Sequence, residues 1–165
     1  MKNPNMPGAI APGGRTFEGA RFALEPKQLE IVIEVPRGSF IKRDDDGRVD
    51  YVSPFPCPFN YGSVPDTRSG DGDRLDALVL GPRLPRHARV TLPVLGVVRF
   101  LDAGESDPKY ICGTGPLGRR DALLVAGFFA SYAHLKGVLN ALRGKRGATR
   151  YGGIERLHAD AMVDR

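Results

Sequence analysis

The strand pattern that decides the fold class is LEIVIEV, at residues 29–35. Leucine, isoleucine and valine recur at every second position, as expected of a strand that buries one face. Further short strands are predicted at residues 40–42, 51–52, 77–80, 90–98 and 110–112. The 14 Pro and 21 Gly are typical of many turns between short strands. The pattern therefore predicts a mainly β protein.

One helix is predicted from about Asp121 to Arg143, because apolar residues recur there every three or four positions. Its apolar residues are Leu123, Leu124, Phe128, Tyr132, Leu135 and Leu139. Strands and helix together predict the α+β class with a strand-rich core.

The first acidic stretch is GDGDRLD, at residues 70–76. In an extended segment Asp71 and Asp73 point to the same side, and a bend at the glycine lets Asp76 approach them. Carboxylates this close repel one another unless a cation lies between them. Hard cations such as Mg²⁺ prefer oxygen ligands, so the stretch is a candidate metal site. By itself the stretch is more typical of a solvated turn.

A second acidic stretch, DAGESDPK, occupies residues 102–109. Asp107 and Lys109 are two residues apart and can share one face of a strand. One could then bind metal while the other binds a substrate oxygen. Asp-Pro alone also favours a turn.

The acidic stretches belong to a longer ordered pattern. It consists of EVP at 34–36, Lys42, NYG at 60–62, GDGDRLD at 70–76, DAGESDPK at 102–109 and FFASY at 128–132. In order and spacing this pattern resembles the soluble family I inorganic pyrophosphatases over about residues 29–134. The resemblance implies a five-stranded, OB-like closed barrel with peripheral helices and an acidic cavity at its rim.

The resemblance also implies an activity, the Mg²⁺-dependent hydrolysis of inorganic diphosphate to two phosphates by metal-activated water. Mn²⁺ is the alternative cofactor, since it also suits oxygen ligands. The alternative function is a pyrophosphatase-like protein with weak or lost turnover that binds a phosphate ligand or nucleic acid. A pure binder of anions has no need of so many carboxylates, which favours the enzyme.

The resemblance assigns a role to each matching residue. The general base is Asp73. The metal ligands are Asp71, Asp76, Asp102 and Asp107. The residues that bind phosphoryl oxygens are Lys42, Tyr61, Lys109 and Tyr132. Glu34 lies at the edge of the implied site without an assigned role.

Two positions depart from the family pattern. Val49 stands where family members usually have arginine, and Ala133 stands where they usually have lysine. Arg43 and Arg48 are candidates for a replacement positive charge. If each lost contact equals a charge-assisted hydrogen bond of about 1.5–3 kcal/mol, turnover falls by roughly two to four decades.

The net charge is +5 at pH 7, and the cations concentrate in the C-terminal third. A basic patch makes nucleic acid a candidate partner. A solvated surface is the favoured interpretation, because aromatic residues are not interleaved with the cations as a stacking platform requires. By resemblance, the expected partners are inorganic diphosphate and further copies of the chain.

Composition bounds the remaining expectations. A length of 165 residues with 41% hydrophobic content suits one domain over residues 1–165, with residues 1–14 as a flexible extension. That start lacks the layout of a signal peptide, so we expect a cytoplasmic protein with no membrane partner. Cys57 and Cys112 match no metal spacing and are expected to be buried thiols.

Overall fold

The computed structural model describes residues 28–43, 46–69 and 72–157. The predicted extension at residues 1–14 and the predicted metal ligand Asp71 lie outside these ranges. The secondary-structure elements are β1 Gln28–Val35, β2 Ile41–Arg43, β3 Val49–Val52, β4 Asn60–Val64, β5 Leu75–Val79, β6 Arg89–Asp102, β7 Glu105–Ser106, β8 Lys109–Cys112, α1 Arg119–Leu142 and β9 Arg150–Arg156.

Five strands close into a ring in the order β1-β4-β5-β8-β6, because β6 pairs back onto β1. Within the ring only β5 and β8 run parallel to each other. Strands β7 and β9 extend the sheet from β6. The ring and the single helix of the described ranges confirm the predicted α+β class with an OB-like, five-stranded core.

Two hydrophobic clusters lie on opposite faces of the ring. Successive residues of β5 divide between them, with Leu78 in one and its neighbours Ala77 and Val79 in the other. The cluster that contains Leu78 also contains Val125 and Phe129 of α1, so we call it the helix-side cluster. Full burial of a side chain such as Phe129 contributes about 1.5–3 kcal/mol. This packing fixes the rotation of α1 against the ring.

Helix α1 confirms the predicted helix, but it buries a different face from the predicted one, because Leu123 and Leu124 are exposed. Asp121 in its first turn interacts favourably with the helix dipole. At its C-terminus Gly144 adopts φ 70°, and its amide donates to Ala141 O at 3.1 Å. This left-handed conformation is the usual way in which a glycine ends a helix.

By length and apolar composition alone, α1 would also be able to cross a membrane. Packed helices pass the same test, and Val125, Phe129, Ala133 and Asn140 of α1 are buried in this fold. The opposite side of α1 exposes Leu123 and other apolar residues.

Strands β2 and β3 form a separate antiparallel hairpin beside β1. The chain leading into and out of the hairpin is held by Cys57 N donating to Ser39 O at 2.9 Å and Ser53 N donating to Phe40 O at 2.7 Å. These bonds place the hairpin over the same end of the ring that carries Asp76 and Lys109.

The sequence pattern did not predict strand β4, and Gly62 shows the reason. A Cβ atom on Gly62 would lie 2.0 Å from the backbone oxygen of Val32 in β1. Since β4 also buries Asn60, Gly62, Ser63 and Val64, it has no alternation of apolar and polar residues. Close contact with β1, and not strand propensity, forms this element.

Candidate active site

A cavity of about 820 Å³ lies between the ring, α1 and the β2–β3 hairpin. Every predicted site residue within the described ranges lines it. These residues are Lys42, Tyr61, Asp73, Asp76, Asp102, Asp107, Lys109 and Tyr132. Stretches far apart in sequence therefore meet in one place, as the ordered pattern required.

Sheet register brings the two acidic stretches together. Asp76 and Lys109 are direct partners in the parallel pair of β5 and β8. The tight turn between β6 and β7 uses Ala103 at φ 49° and Gly104 at φ 87°, and it returns the chain towards the cavity. Asp107 N then donates to Phe100 O at 3.0 Å, which fixes the Asp107 backbone beside β6.

The ammonium of Lys109 lies between two carboxylates. Its Nζ atom is 2.5 Å from Asp76 Oδ2 and 2.6 Å from Asp107 Oδ2, and only 4% of the Lys109 side chain is exposed. Burial would lower the pKa of Lys109, but the two carboxylates outweigh burial and raise that pKa above its ordinary value. Lys109 is therefore a fixed positive charge.

Asp76 is held in its ionised form by the cations around it. Burial opposes ionisation, but Lys109 and Lys42 lower the pKa of Asp76 below its ordinary value. Tyr61 behaves in the opposite way, because burial and then the charges of Asp76 and Asp107 raise its pKa well above the ordinary value. Its hydroxyl stays protonated and donates a hydrogen bond to Asp76. Lys42 Nζ lies 5.9 Å from the centre of the Tyr61 ring.

Asp102 is held from α1. Asn140 Nδ2 donates to Asp102 Oδ1 at 2.6 Å, and Lys136 Nζ lies 3.2 Å from Asp102 Oδ2. Burial opposes ionisation of Asp102, but the Asn140 hydrogen bond and Lys136 lower its pKa. Asn140 Nδ2 also lies 2.9 Å from Thr149 Oγ1, which in turn accepts from Ala103 N at 3.0 Å. This network ties the end of β6 to the helix.

Asp73 and Glu34 line less enclosed parts of the cavity. Asp73 is exposed, and its backbone oxygen accepts from Ser69 N at 2.7 Å. Glu34 Oε1 accepts a 2.6 Å hydrogen bond from Ser63 Oγ. Asp73 thus has access to solvent, as a residue that exchanges protons with water requires.

The carboxylates of the cavity have the donor chemistry that a hard divalent cation prefers. Asp76, Asp102 and Asp107 present carboxylate oxygens to one cavity, and oxygen is the ligand atom that such cations prefer. Within residues 28–43, 46–69 and 72–157, no three His, Cys, Asp or Glu side chains converge as a metal cluster. The ammonium of Lys109 occupies the position between Asp76 and Asp107, so it neutralises them in this arrangement.

The two departures from the family pattern have different structural settings. Val49 is 51% exposed on β3, whereas Ala133 is 5% exposed and packs in the helix-side cluster. Of the two candidate replacement cations, Arg43 lines the cavity and donates to Gly47 O at 2.9 Å. Arg48 is exposed on the same hairpin.

Sequence reasoning missed several residues of this site. Lys136, Arg68 and Arg74 line the cavity, and Asn140 holds Asp102 from α1. One signal for Lys136 was present, since it lies four residues after Tyr132 and so shares its face of α1. For Asn140 no signal in the sequence pointed to Asp102.

The comparisons with known proteins identify one family. The family described as inorganic pyrophosphatase matches residues 31–115. The inorganic pyrophosphatase of Haemophilus influenzae is 40% identical over 51% of this chain and 52% of its own length. The inorganic pyrophosphatase of Halalkalibacterium halodurans is 33% identical over 70% of this chain and 83% of its own length. The chain thus spans about half the length of the first relative and most of the second.

A solved structure also matches. The crystal structure of an inorganic pyrophosphatase from Neisseria gonorrhoeae aligns with a TM-score of 0.64 at 26% identity. The alignment covers 81% of this chain and 84% of that one. The fold therefore recurs, over most of its length, in a protein of that description.

Proposed function

The chain belongs to the inorganic pyrophosphatase family, and from this premise we propose that it hydrolyses inorganic diphosphate to two phosphates in a metal-dependent reaction. The observation that carries the proposal is the position of Lys109 between Asp76 and Asp107, inside a cavity that also presents Lys42 and Tyr61. Such a site combines ligands for a cation with donors for an anion.

The carboxylates favour an enzyme over a simple anion-binding module. Asp76, Asp102 and Asp107 would repel a polyanion unless a cation neutralised them, and a binding protein gains nothing from that repulsion. The alternative of a phosphate-ligand or nucleic-acid binding module is therefore not favoured.

Three described residues would hold the metal, namely Asp76, Asp102 and Asp107, and Asp71 is the fourth proposed ligand. Mg²⁺ is the proposed ion and Mn²⁺ the alternative, because both suit carboxylate oxygens. When bound, such an ion neutralises phosphoryl oxygens and makes water more acidic.

The residues of the chain would act on the two ends of the breaking bond. A water oxygen attacks one phosphorus atom, and the bond from that atom to the bridging oxygen breaks. Asp73 accepts the proton of the attacking water, as its solvent access allows. The negative charge on the phosphoryl oxygens is stabilised by ammonium groups and hydroxyl donors that are fixed before the reaction. These groups belong to Lys42, Tyr61, Lys109 and Tyr132.

Assembly and location follow from the same premise. We propose a homo-oligomer of single-domain chains that acts in the cytoplasm. Cys57 and Cys112 are both free and buried, which suits a reducing compartment.

The test is phosphate release from diphosphate at increasing Mg²⁺ concentration. The wild type and Asp46→Asn, an exposed substitution on the hairpin, should both turn over, whereas Asp73→Asn should lose at least about 100-fold in kcat. An Asp73→Asn protein as active as the wild type would remove the general-base role. Absence of release from the wild type would remove the activity.

A further inference from the structure

Lys136 is a charged residue of the cavity that the pattern of site residues does not include. It lies one helical turn after Tyr132, so both side chains share one face of α1. Its Nζ atom is 5.8 Å from the centre of the Tyr132 ring and 3.2 Å from Asp102 Oδ2. The side chain lines the same cavity as Lys109 and is only 28% exposed.

The inward position of Lys136 requires an explanation. A lysine on a helix ordinarily keeps its ammonium in water, since burying a charge and fixing a flexible side chain both cost free energy. Here Asp102 stabilises the ammonium, and Asn140 fixes Asp102 through the other carboxylate oxygen. Lys136 and Asn140 are themselves one turn apart on α1. Helix α1 therefore supplies both the ammonium group of Lys136 and, through Asn140, the fixed position of the carboxylate that pairs with it.

Lys136 also differs from Lys109 in how it is held. Lys109 contacts two carboxylates at 2.5 and 2.6 Å, whereas Lys136 has a single ion pair, with the longer distance of 3.2 Å. An ammonium has three donor hydrogens, so the contacts of Lys136 with Asp102 and with the Tyr132 hydroxyl leave one hydrogen for a ligand in the cavity. The side chain of Ala133 is buried in the helix-side cluster, so it provides no donor to a ligand in the cavity.

We propose that Lys136 binds a phosphoryl oxygen of the substrate beside Tyr132, and so strengthens the selection of diphosphate over singly phosphorylated compounds. This inference rests on the proposed function, because it assigns a further substrate contact to the same site. It also explains how the chain supplies a cation to this side of the cavity although position 133 is alanine.

A purely structural role for Lys136 predicts a different result. If Lys136 acted only by orienting Asp102, its removal would resemble the removal of Asn140, which holds the other oxygen of Asp102. Loss of either residue would then change the metal requirement. Loss of a substrate contact instead weakens the binding of the anion and leaves the metal requirement unchanged.

The experiment measures KM and kcat for diphosphate, the Mg²⁺ concentration for half-maximal rate, and binding of imidodiphosphate, a diphosphate analogue with a nitrogen bridge, by calorimetry. The variants are Lys136→Gln, Lys136→Arg and Asn140→Ala. The control is Arg120→Gln, which also removes one positive charge, at an exposed position in the first turn of α1.

We expect Lys136→Gln to raise KM and the dissociation constant of imidodiphosphate by about 10-fold or more, with recovery in Lys136→Arg. Arg120→Gln should change either value less than threefold, and Asn140→Ala should chiefly raise the Mg²⁺ requirement. Unchanged imidodiphosphate binding in Lys136→Gln, or a shift only in its Mg²⁺ requirement, would overturn the proposal.

The calorimetric measurement separates this proposal from the proposed activity. A wild type that binds imidodiphosphate but releases no phosphate would refute hydrolysis, while weaker binding by Lys136→Gln would still support the contact. A wild type that binds no imidodiphosphate would overturn the role of Lys136.

Discussion

The Nζ atom of Lys109 lies 2.5 Å from Oδ2 of Asp76, its direct partner across the parallel strands β5 and β8. The same ammonium is 2.6 Å from Oδ2 of Asp107. One positive charge therefore compensates two largely buried negative charges. A metal ion that binds the two carboxylates takes over the electrostatic role of Lys109. Metal binding and the stability of the fold are therefore coupled at this pair of carboxylates.

The first prediction concerns the effect of Lys109 and of Mg²⁺ on the stability of the fold. Lys109→Met leaves Asp76 and Asp107 without their partner, and removal of one member of a buried ion pair costs about 3–5 kcal/mol. We expect a loss of this size in urea unfolding at pH 7 without divalent ions, and a smaller loss with Mg²⁺. Lys145→Met should leave the free energy of unfolding within about 0.5 kcal/mol of wild type. A Lys109→Met protein as stable as the wild type without metal would contradict the interpretation.

The second prediction tests the close contact of β4 with β1. Gly62→Ala places a Cβ atom 2.0 Å from Val32 O, which requires the strands to separate. We expect a loss of about 3 kcal/mol or more in the free energy of unfolding. Gly127→Ala, at an exposed helical glycine with no atom within 4 Å of the added Cβ, should instead gain up to about 1 kcal/mol. Equal effects of the two substitutions on the free energy of unfolding would show that the contact between Gly62 and Val32 does not exclude a side chain at position 62.

The third prediction concerns Asn60, which is fully buried at the start of β4. Its Oδ1 accepts from Arg37 N at 3.0 Å and from Leu84 N at 2.8 Å, and its Nδ2 donates to Pro82 O at 2.9 Å. Asn60→Leu leaves these backbone groups buried without partners, each at about 1–3 kcal/mol. Hydrogen exchange should accelerate at the amides of Arg37 and Leu84 in particular. Unchanged exchange at both amides would refute this role of Asn60.

The fourth prediction concerns the two buried thiols. Burial raises the pKa of Cys57 to about 11 and that of Cys112 to about 12, from an ordinary value of 9.0. Between pH 9 and 11 the unfolded chain loses thiol protons that the folded chain keeps, so stability falls as pH rises. We expect a smaller fall in Cys57→Ala/Cys112→Ala, measured by urea unfolding at pH 7.5 and 10. An equal fall would show that other groups govern alkaline unfolding.

Periodicity made the longest elements predictable. The alternation at residues 29–35 corresponds to β1, which buries one continuous face. The helical spacing after Asp121 corresponds to α1, although α1 buries Val125, Phe129 and Ala133 and not the predicted apolar residues. The site residues were predicted as a set from the ordered pattern shared with the family, and the register of β5 and β8 places Asp76 opposite Lys109. The role of each residue stays a prediction, and Asp71 lies outside the described ranges.

The rest depended on tertiary packing. Strands β4 and β9 contain glycines and lack alternation, so only their pairing with β1 and β6 defines them. Likewise, Lys136 faces the cavity because burial of Val125, Phe129 and Ala133 sets the rotation of α1. A lysine on a partly apolar helix is ordinarily solvated, so its spacing of four residues from Tyr132 was not enough to predict its inward position.

The most direct test of the central claim follows diphosphate and phosphate by ³¹P NMR with Mg²⁺, for the wild type and for Asp76→Asn. The proposed site predicts two phosphates for each diphosphate consumed by the wild type, and at least about 100-fold slower conversion by Asp76→Asn. Far-UV circular dichroism of the variant verifies that it remains folded. If the wild type converts no diphosphate at any Mg²⁺ or Mn²⁺ concentration, or Asp76→Asn matches its rate, the account is contradicted.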